Sequence, residues 1–281
     1  MKKIAFALIA VILCISMYCI LIGGKNTQDL KGKITYTSYE NRIRGVNILD
    51  LKTGQKDFIP NFNAIKPINS NRVLLSSYEE IVDYDLENKS INAEYNIGEN
   101  YYYDYFSVKD DKTISLSKSS KTIELFDLNT QEWKNVVSDN NSEYYSWFND
   151  ILVYSNNNDE IIEYNVVSGE KKVIGHGRKP LISSDYTTIA YMNSDRKLTV
   201  MKRDTGKQYV YKGEAYDYCF SPEGNWLLIE DETEGLIFFK NLLFNGIIKS
   251  HQLLVWDYKN NKKTTLVETC MWGAGAGFSW Q

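Results

Sequence analysis

Between residues 33 and 261 one pattern recurs six times. An apolar strand ends in a bulky residue, then come Asp or Asn in most copies, two further residues and a Thr, Ser or Asn turn with Gly or a Gly-like residue. The copies are Leu49-Asp50 before Thr53-Gly54, Tyr84-Asp85 before Asn88-Lys89 and Phe126-Asp127 before Thr130-Gln131. They continue with Tyr164-Asn165 before Ser168-Gly169, a degenerate Met201-Lys202 before Thr205-Gly206, and Trp256-Asp257 before Asn260-Asn261. The second positions fall at 50, 85, 127, 165, 202 and 257, at intervals of 35, 42, 38, 37 and 55. Around them, alternating apolar and polar residues read as short strands, and no helical stripe exceeds two turns. A period near 40 with about four short strands per unit implies a β-propeller. One four-stranded blade cannot bury both faces, whereas a ring of six can. The fold class is therefore all-β, with Tyr84, Phe126, Tyr164 and Trp256 expected to fill the gaps between blades.

The two chain ends explain closure. Lys33 to Ser38 reads as the second strand of blade 1, so that blade lacks its first. Gly277-Phe278-Ser279-Trp280 repeats the Phe-Ser of Phe106-Ser107 and Phe220-Ser221. The last strand is expected to complete blade 1 and remove the open edge.

Phe220-Ser221-Pro222-Glu223-Gly224, followed by Trp226-Leu227-Leu228-Ile229, resembles the F-S-P-D-G repeat of TolB-like, WD40-like six-bladed propellers. Gly175-His176 and Trp256-Asp257 are similar to the GH and WD dipeptides of WD40 repeats, although they stand in different blades. The resemblance implies an architecture for residues 33–281 and a tendency towards protein binding, but no single activity.

Ile4 to Ile22 is a run of 19 uncharged residues behind Lys2 and Lys3. It exceeds a secretory h-region, lacks a small-residue cleavage pattern and is long enough to cross a bilayer as a helix. Residues 1–25 thus read as a signal anchor or transmembrane segment, 26–32 as a short linker and 33–281 as the propeller. A cleaved signal peptide is the second reading and a buried core helix the third. Positive charge before the run places the N-terminus inside the cell and the propeller outside, at the cell membrane, or secreted if the signal is cleaved. Without Lys2, Lys3 and Lys25 the chain has 29 Lys+Arg against 36 Asp+Glu, a footprint that excludes nucleic acid as a partner. Cys14 and Cys19 lie in the apolar run; Cys219 and Cys270 can be a disulfide or two buried thiols.

Chemistry is sparse. No G-x-S-x-G elbow, H-E-x-x-H pair or P-loop is present, and two histidines exclude a three-imidazole metal site. Asn156-Asn157-Asn158-Asp159-Glu160 reads as a hairpin turn rather than a calcium loop, and Gly273 to Gly277 as a connection between blades. No metal or cofactor is expected. The segments feeding the innermost strands are unusually aromatic, and they converge on the top mouth of the central channel. From them Tyr102, Tyr103, Tyr145, Trp147, Tyr216 and Trp272 are candidate contacts for a protein, peptide or glycan; packing between blades is the competing role for each. The interval of 55 places an insertion between the second and third strands of blade 6. There Leu236 to Phe244 and Ile247 to Leu254 flank Asn245-Gly246, a hairpin signal. This apolar arm makes Phe238, Phe239 and Phe244 further candidates, as a partner-binding arm or a lid. The expected function is a membrane-anchored extracytoplasmic binding or scaffold module without catalysis. The alternative is a propeller hydrolase, lyase or cyclase with acid–base groups among Asp104, His176, Arg178 and Asp217.

Overall fold

The computed structural model describes residues 30–40, 43–62, 64–69, 71–77, 80–98, 101–118, 121–232, 251–268 and 278–281. For residues 38–40, 64, 101–105, 118, 140–143, 232, 251 and 268 it describes the backbone alone. Gly32–Gln281 forms one compact unit and Met1–Lys31 another.

Among the described residues, twenty-four strands form six four-stranded antiparallel sheets. The chain begins with β1 (Lys33–Glu40), β2 (Ile43–Asp50) and β3 (Lys56–Pro60). Blade 2 is β4 (Ala64–Pro67), β5 (Arg72–Ser76), β6 (Ile81–Asp85) and β7 (Ser90–Tyr95). Blade 3 is β8 (Tyr101–Val108), β9 (Thr113–Lys118), β10 (Thr122–Asp127) and β11 (Trp133–Val137). Blade 4 is β12 (Asn140–Phe148), β13 (Ile151–Asn156), β14 (Glu160–Asn165) and β15 (Lys171–His176). Blade 5 is β16 (Arg178–Ile182), β17 (Thr188–Met192), β18 (Leu198–Lys202) and β19 (Gln208–Val210). Blade 6 is β20 (Ala215–Phe220), β21 (Leu227–Glu232), β22 (His251–Asp257) and β23 (Lys262–Glu268). Finally β24 (Ser279–Trp280) returns to pair with β1, so blade 1 reads β24-β1-β2-β3.

The first strands of the blades touch in a closed circle, from β24 through β4, β8, β12, β16 and β20 back to β24. Closure has a specific chemistry. Ile34 pairs with Trp280 and Thr35 with Ser279, and the two hydroxyls of the latter pair lie 2.6 Å apart. Lys33 and Gln281 exchange both backbone hydrogen bonds, at 2.8 and 3.0 Å. Gly32 stands against the Gln281 carbonyl where a Cβ has no room, and its φ of 94° needs glycine. Phe278 and Trp280 are buried, and Trp280 stacks on Trp226.

The bulky residues before the repeated Asp or Asn do sit between blades. Tyr84 packs in the blade 1–2 cluster, Phe126 in that of blades 2 and 3, Tyr164 in that of blades 3 and 4, and Met201 in that of blades 4 and 5. Trp256 is 1% exposed between blades 5 and 6. The polar half of the repeat is a single hydrogen-bonded turn. One side-chain oxygen each of Asp50, Asp85, Asp127 and Asn165 accepts the backbone N–H groups two and three residues on. Asp257 accepts from Asn260. The fifth position has positive φ in every copy: Gly54, Lys89, Gln131, Gly169, Gly206 and Asn261. That requirement explains the Gly-like end of the pattern. Blade 5 has Lys202 where the others have Asp or Asn, and its ammonium reaches Thr188 instead.

Two expectations need correction. Phe220-Ser221 is not in register with Phe106-Ser107. Phe106 pairs with Leu116 in blade 3, and the equivalent residue of blade 6 is Tyr218, paired with Ile229. Phe220 lies two residues further, and Ser221 caps the β20–β21 turn by accepting from Asn225 and Trp226. Blade 5 holds a second, disguised copy of that turn. Ser183 accepts the Thr188 N–H, and Tyr186 takes the positive φ that Gly224 takes in blade 6. The second correction concerns the blade 6 arm. Leu253 and Leu254 pair with Glu230 and Ile229 as part of β22, so they belong to the blade. Phe238, Phe239 and Phe244 lie outside the described residues, as do Ile4 to Ile22, Cys270, Trp272 and Gly273 to Gly277. No helix among the described residues is long and apolar enough to cross a membrane.

Candidate functional site

Regularity ends at one end of the innermost strands. Each of β8, β12, β16 and β20 loses register with its neighbour near its N-terminal end. The shifts fall between Tyr101 and Phe106, Asn140 and Tyr145, Arg178 and Leu181, and Ala215 and Asp217. These are the strand ends that face the channel mouth opposite the Asp and Asn turns. Bulges bend a strand and re-aim its side chains. Tyr102, Tyr103, Tyr144 and Tyr216 all fall inside the bulged stretches, and Lys179 has a φ of 55°. Asp104 lies in the same stretch of β8.

Lys179 ties three blades together. Its ammonium lies 4.0 Å from the centre of the Tyr144 ring in blade 4 and donates to the Tyr216 carbonyl of blade 6 at 3.1 Å. Tyr216 itself is 39% exposed beside it. Tyr218 turns the other way, and its hydroxyl donates to the Lys179 carbonyl. The remaining candidates divide. Tyr145 is 5% exposed and packs between blades 3 and 4, where burial raises its phenol pKa. Trp147 lies near the far end of β12, where its indole N–H donates to Ser115 at 2.8 Å and Lys109 covers its ring. Both serve the inter-blade interior, not the mouth. Strand alternation explains why Tyr145 and Trp147 go together: two residues apart, they share one face of β12.

The acid–base candidates do not assemble. Arg178 is held by Asp159 through two hydrogen bonds of 2.8 and 2.9 Å. His176 ends β15, the outermost strand of blade 4, whereas Asp217 stands on the innermost strand of blade 6. The stretch Asn156–Glu160 is a hairpin turn, with Asn156 accepting from Asn158 and Glu160. No group of three or more metal-binding side chains occurs among the described residues.

Asp217 is nevertheless the least ordinary side chain of the channel wall. It is 9% exposed, and burial pushes its carboxyl pKa upward against the opposing pull of Lys179 and Lys66. Two residues along, burial pushes the free Cys219 thiol up to about 12, which makes it unreactive at neutral pH. Lys66 acts on that group too. Neither Lys66 nor Lys179 stands out in the sequence: each is a single lysine in a short strand, and only ring closure brings the two near Asp217.

No protein-family model matches this chain, and no curated protein matches it. Solved structures do. The β-propeller domain of Cps50 (Swd1) from Myceliophteria thermophila superposes with a TM-score of 0.52 at 11% identity, covering 85% of this chain and 86% of that one. Hsv2p of Kluyveromyces lactis gives 0.50 at 15% identity over 76% of this chain and 68% of its own. Hsv2 of Kluyveromyces marxianus gives 0.50 at 13% identity over 76% and 70%. At such identities the likeness carries the fold alone: this chain is a six-bladed β-propeller.

Proposed function

We propose that this propeller is a non-catalytic binding or scaffold module, WD40-like in use, that engages a protein or peptide through its channel-mouth face. One observation carries the reading. Four of the six innermost strands break register at the same end, and those breaks hold the tyrosine-rich segments. At the opposite end the turns are saturated with internal hydrogen bonds. Irregularity that recurs at one end of the innermost strands is the mark of a surface shaped for contact. The companion reading is that Ile4 to Ile22 anchors the chain in the cell membrane with the propeller outside.

Site-specific photocrosslinking tests the first reading. A crosslinker at Tyr216 should attach one protein partner in native membranes, and a crosslinker at the 77%-exposed Val167, on the turn face, should not. Equal labelling from both positions would defeat it. For the anchor, the chain should stay in the membrane pellet after a high-salt wash and yield to protease added outside the cell. A mature N-terminus beyond Gly24 would contradict it.

A further inference from the structure

Arg178 and Lys179 stand side by side at the start of β16, and the fold treats them in opposite ways. Arg178 is neutralised, because Asp159 takes its guanidinium through two hydrogen bonds of 2.8 and 2.9 Å. Lys179 is not. Its ammonium donates to one acceptor among the described residues, the Tyr216 carbonyl at 3.1 Å, and rests 4.0 Å from the centre of the Tyr144 ring. Carbonyl and ring hold the cation in place, yet neither carries a charge that cancels it. Asp217 follows Tyr216 on β20 and feels the Lys179 charge, but the two form no ion pair among the described residues.

This placement is held against the preference of the backbone. Lys179 has a φ of 55°, where the Cβ crowds the following carbonyl and which residues other than glycine and asparagine seldom adopt. Pro180 follows, and the residue before a proline is steered towards extended conformations. A surface lysine ordinarily runs out into water on a flexible stem. Here it lies half-buried across the mouth, from blade 5 to Tyr144 of blade 4 and Tyr216 of blade 6. Strain kept at such a position points to a task for the side chain. The geometry leaves it one kind of chemistry. Lys179 is a fixed positive charge with donor capacity to spare, beside a Tyr216 that is 39% exposed. The group that matches it is a carboxylate.

We propose that Lys179 is the charged contact of the channel-mouth face and receives a carboxylate from an acidic segment of the protein or peptide that docks there. The inference rests on the protein-binding reading above and adds the charge of the partner. A display library of random decapeptides, selected on the detergent-solubilised full chain, tests it. The selected pool should hold more Asp and Glu than Lys and Arg. The tightest peptide then serves as a fluorescence-anisotropy probe, beside a counterpart with Asn for Asp and Gln for Glu. The counterpart should bind about tenfold more weakly or worse. Lys179→Gln keeps a donor without the charge and should weaken the probe by a similar factor. Lys179→Arg keeps the charge and should stay within about threefold of the parent. Melting curves of both variants establish that they fold. Carbodiimide coupling of the probe to the unmutated chain needs no variant: peptide mass spectrometry should find the new amide at Lys179. A pool rich in Lys and Arg would make Asp217 the recognising group and overturn the inference. An empty selection, a pool without charge preference, unchanged binding in a folded Lys179→Gln, or coupling only at other lysines overturns it equally. The docking face itself stands or falls separately, on the Tyr216 photocrosslink.

Discussion

The two ends of this propeller are built by different rules. At the turn face, one five-residue unit recurs with a positive φ in all six blades and a side-chain cap in five. Gly54, Gln131, Gly169 and Gly206 each donate to the carbonyl four residues back, at 2.8 to 2.9 Å. Leu51, Leu86, Leu128, Val166 and Arg203, the residues after the cap position, each donate across to the turn that precedes the second strand. At the mouth the bulges are long in β8 and β12 and short in β16 and β20, and the side chains there are joined across blades: Lys179 to Tyr144 and Tyr216, Arg178 to Asp159. A repeated end holds the ring; an irregular end is free to differ from blade to blade. Binding specificity belongs at the second.

The sharpest break in this comparison is at the seam, where the ring depends on two residues of strand. Deleting Phe278 to Gln281 removes two large buried aromatic side chains and the β24 hydrogen bonds. The loss should be at least about 5 kcal/mol, seen as a large fall in melting temperature or as failure to fold. A truncated chain that melts like the parent would mean that blade 1 stands on three strands.

The turn caps come next. Asn165→Ala deletes the acceptor of two backbone N–H groups and should cost about 1 kcal/mol in denaturant unfolding. Lys202→Ala, at the same position of blade 5, should cost less, because no cap is lost there. Equal effects would show that the cap is decorative.

Acid should separate the ends by sign. Backbone N–H groups, of Thr53, Asn88 and Thr130 foremost, hold the carboxyls of Asp50, Asp85 and Asp127 below the ordinary range. Their contribution is therefore present above an unfolded pKa of about 4 and is lost as pH falls through the lower folded values. Asp217 runs the other way, since its folded pKa is raised. Its ionisation opposes folding as pH rises past about 4, so Asp217→Asn should stabilise at pH 7 and gain nothing at pH 3. A gain that does not vary with pH would reject the burial of that charge. The smallest effect is expected at Arg178→Met. Its ion pair with Asp159 is mostly exposed, and chemical unfolding should register a loss of at most about 1 kcal/mol.

Legibility in the sequence follows the same division. The caps, the bulky residues before them and the Phe-Ser-Trp of the last strand are local signals, because each depends on residues within five positions. The blade count and the closing strand could be read from them. The disguised turn of blade 5 escaped because Tyr186 adopts a positive φ that glycine would have advertised. Tyr145 and Trp147 look like mouth residues in the sequence, since a run of aromatics shows no alternation until the partner strand fixes the register. Lys66, Lys179 and Asp217 come together only when blades 2, 5 and 6 are brought round the ring, a relation that no window of sequence contains.

The closed ring is the claim on which the mouth and the channel both depend, and its seam can be tested covalently. Thr35 and Ser279 are direct cross-strand partners, 244 positions apart in the chain, with hydroxyls in contact. In the double variant Thr35→Cys and Ser279→Cys, mild oxidation of the folded protein should join the two cysteines, with the bridge identified by peptide mass spectrometry and the melting temperature raised. A folded protein in which both introduced thiols stay open to alkylation without denaturant would contradict closure.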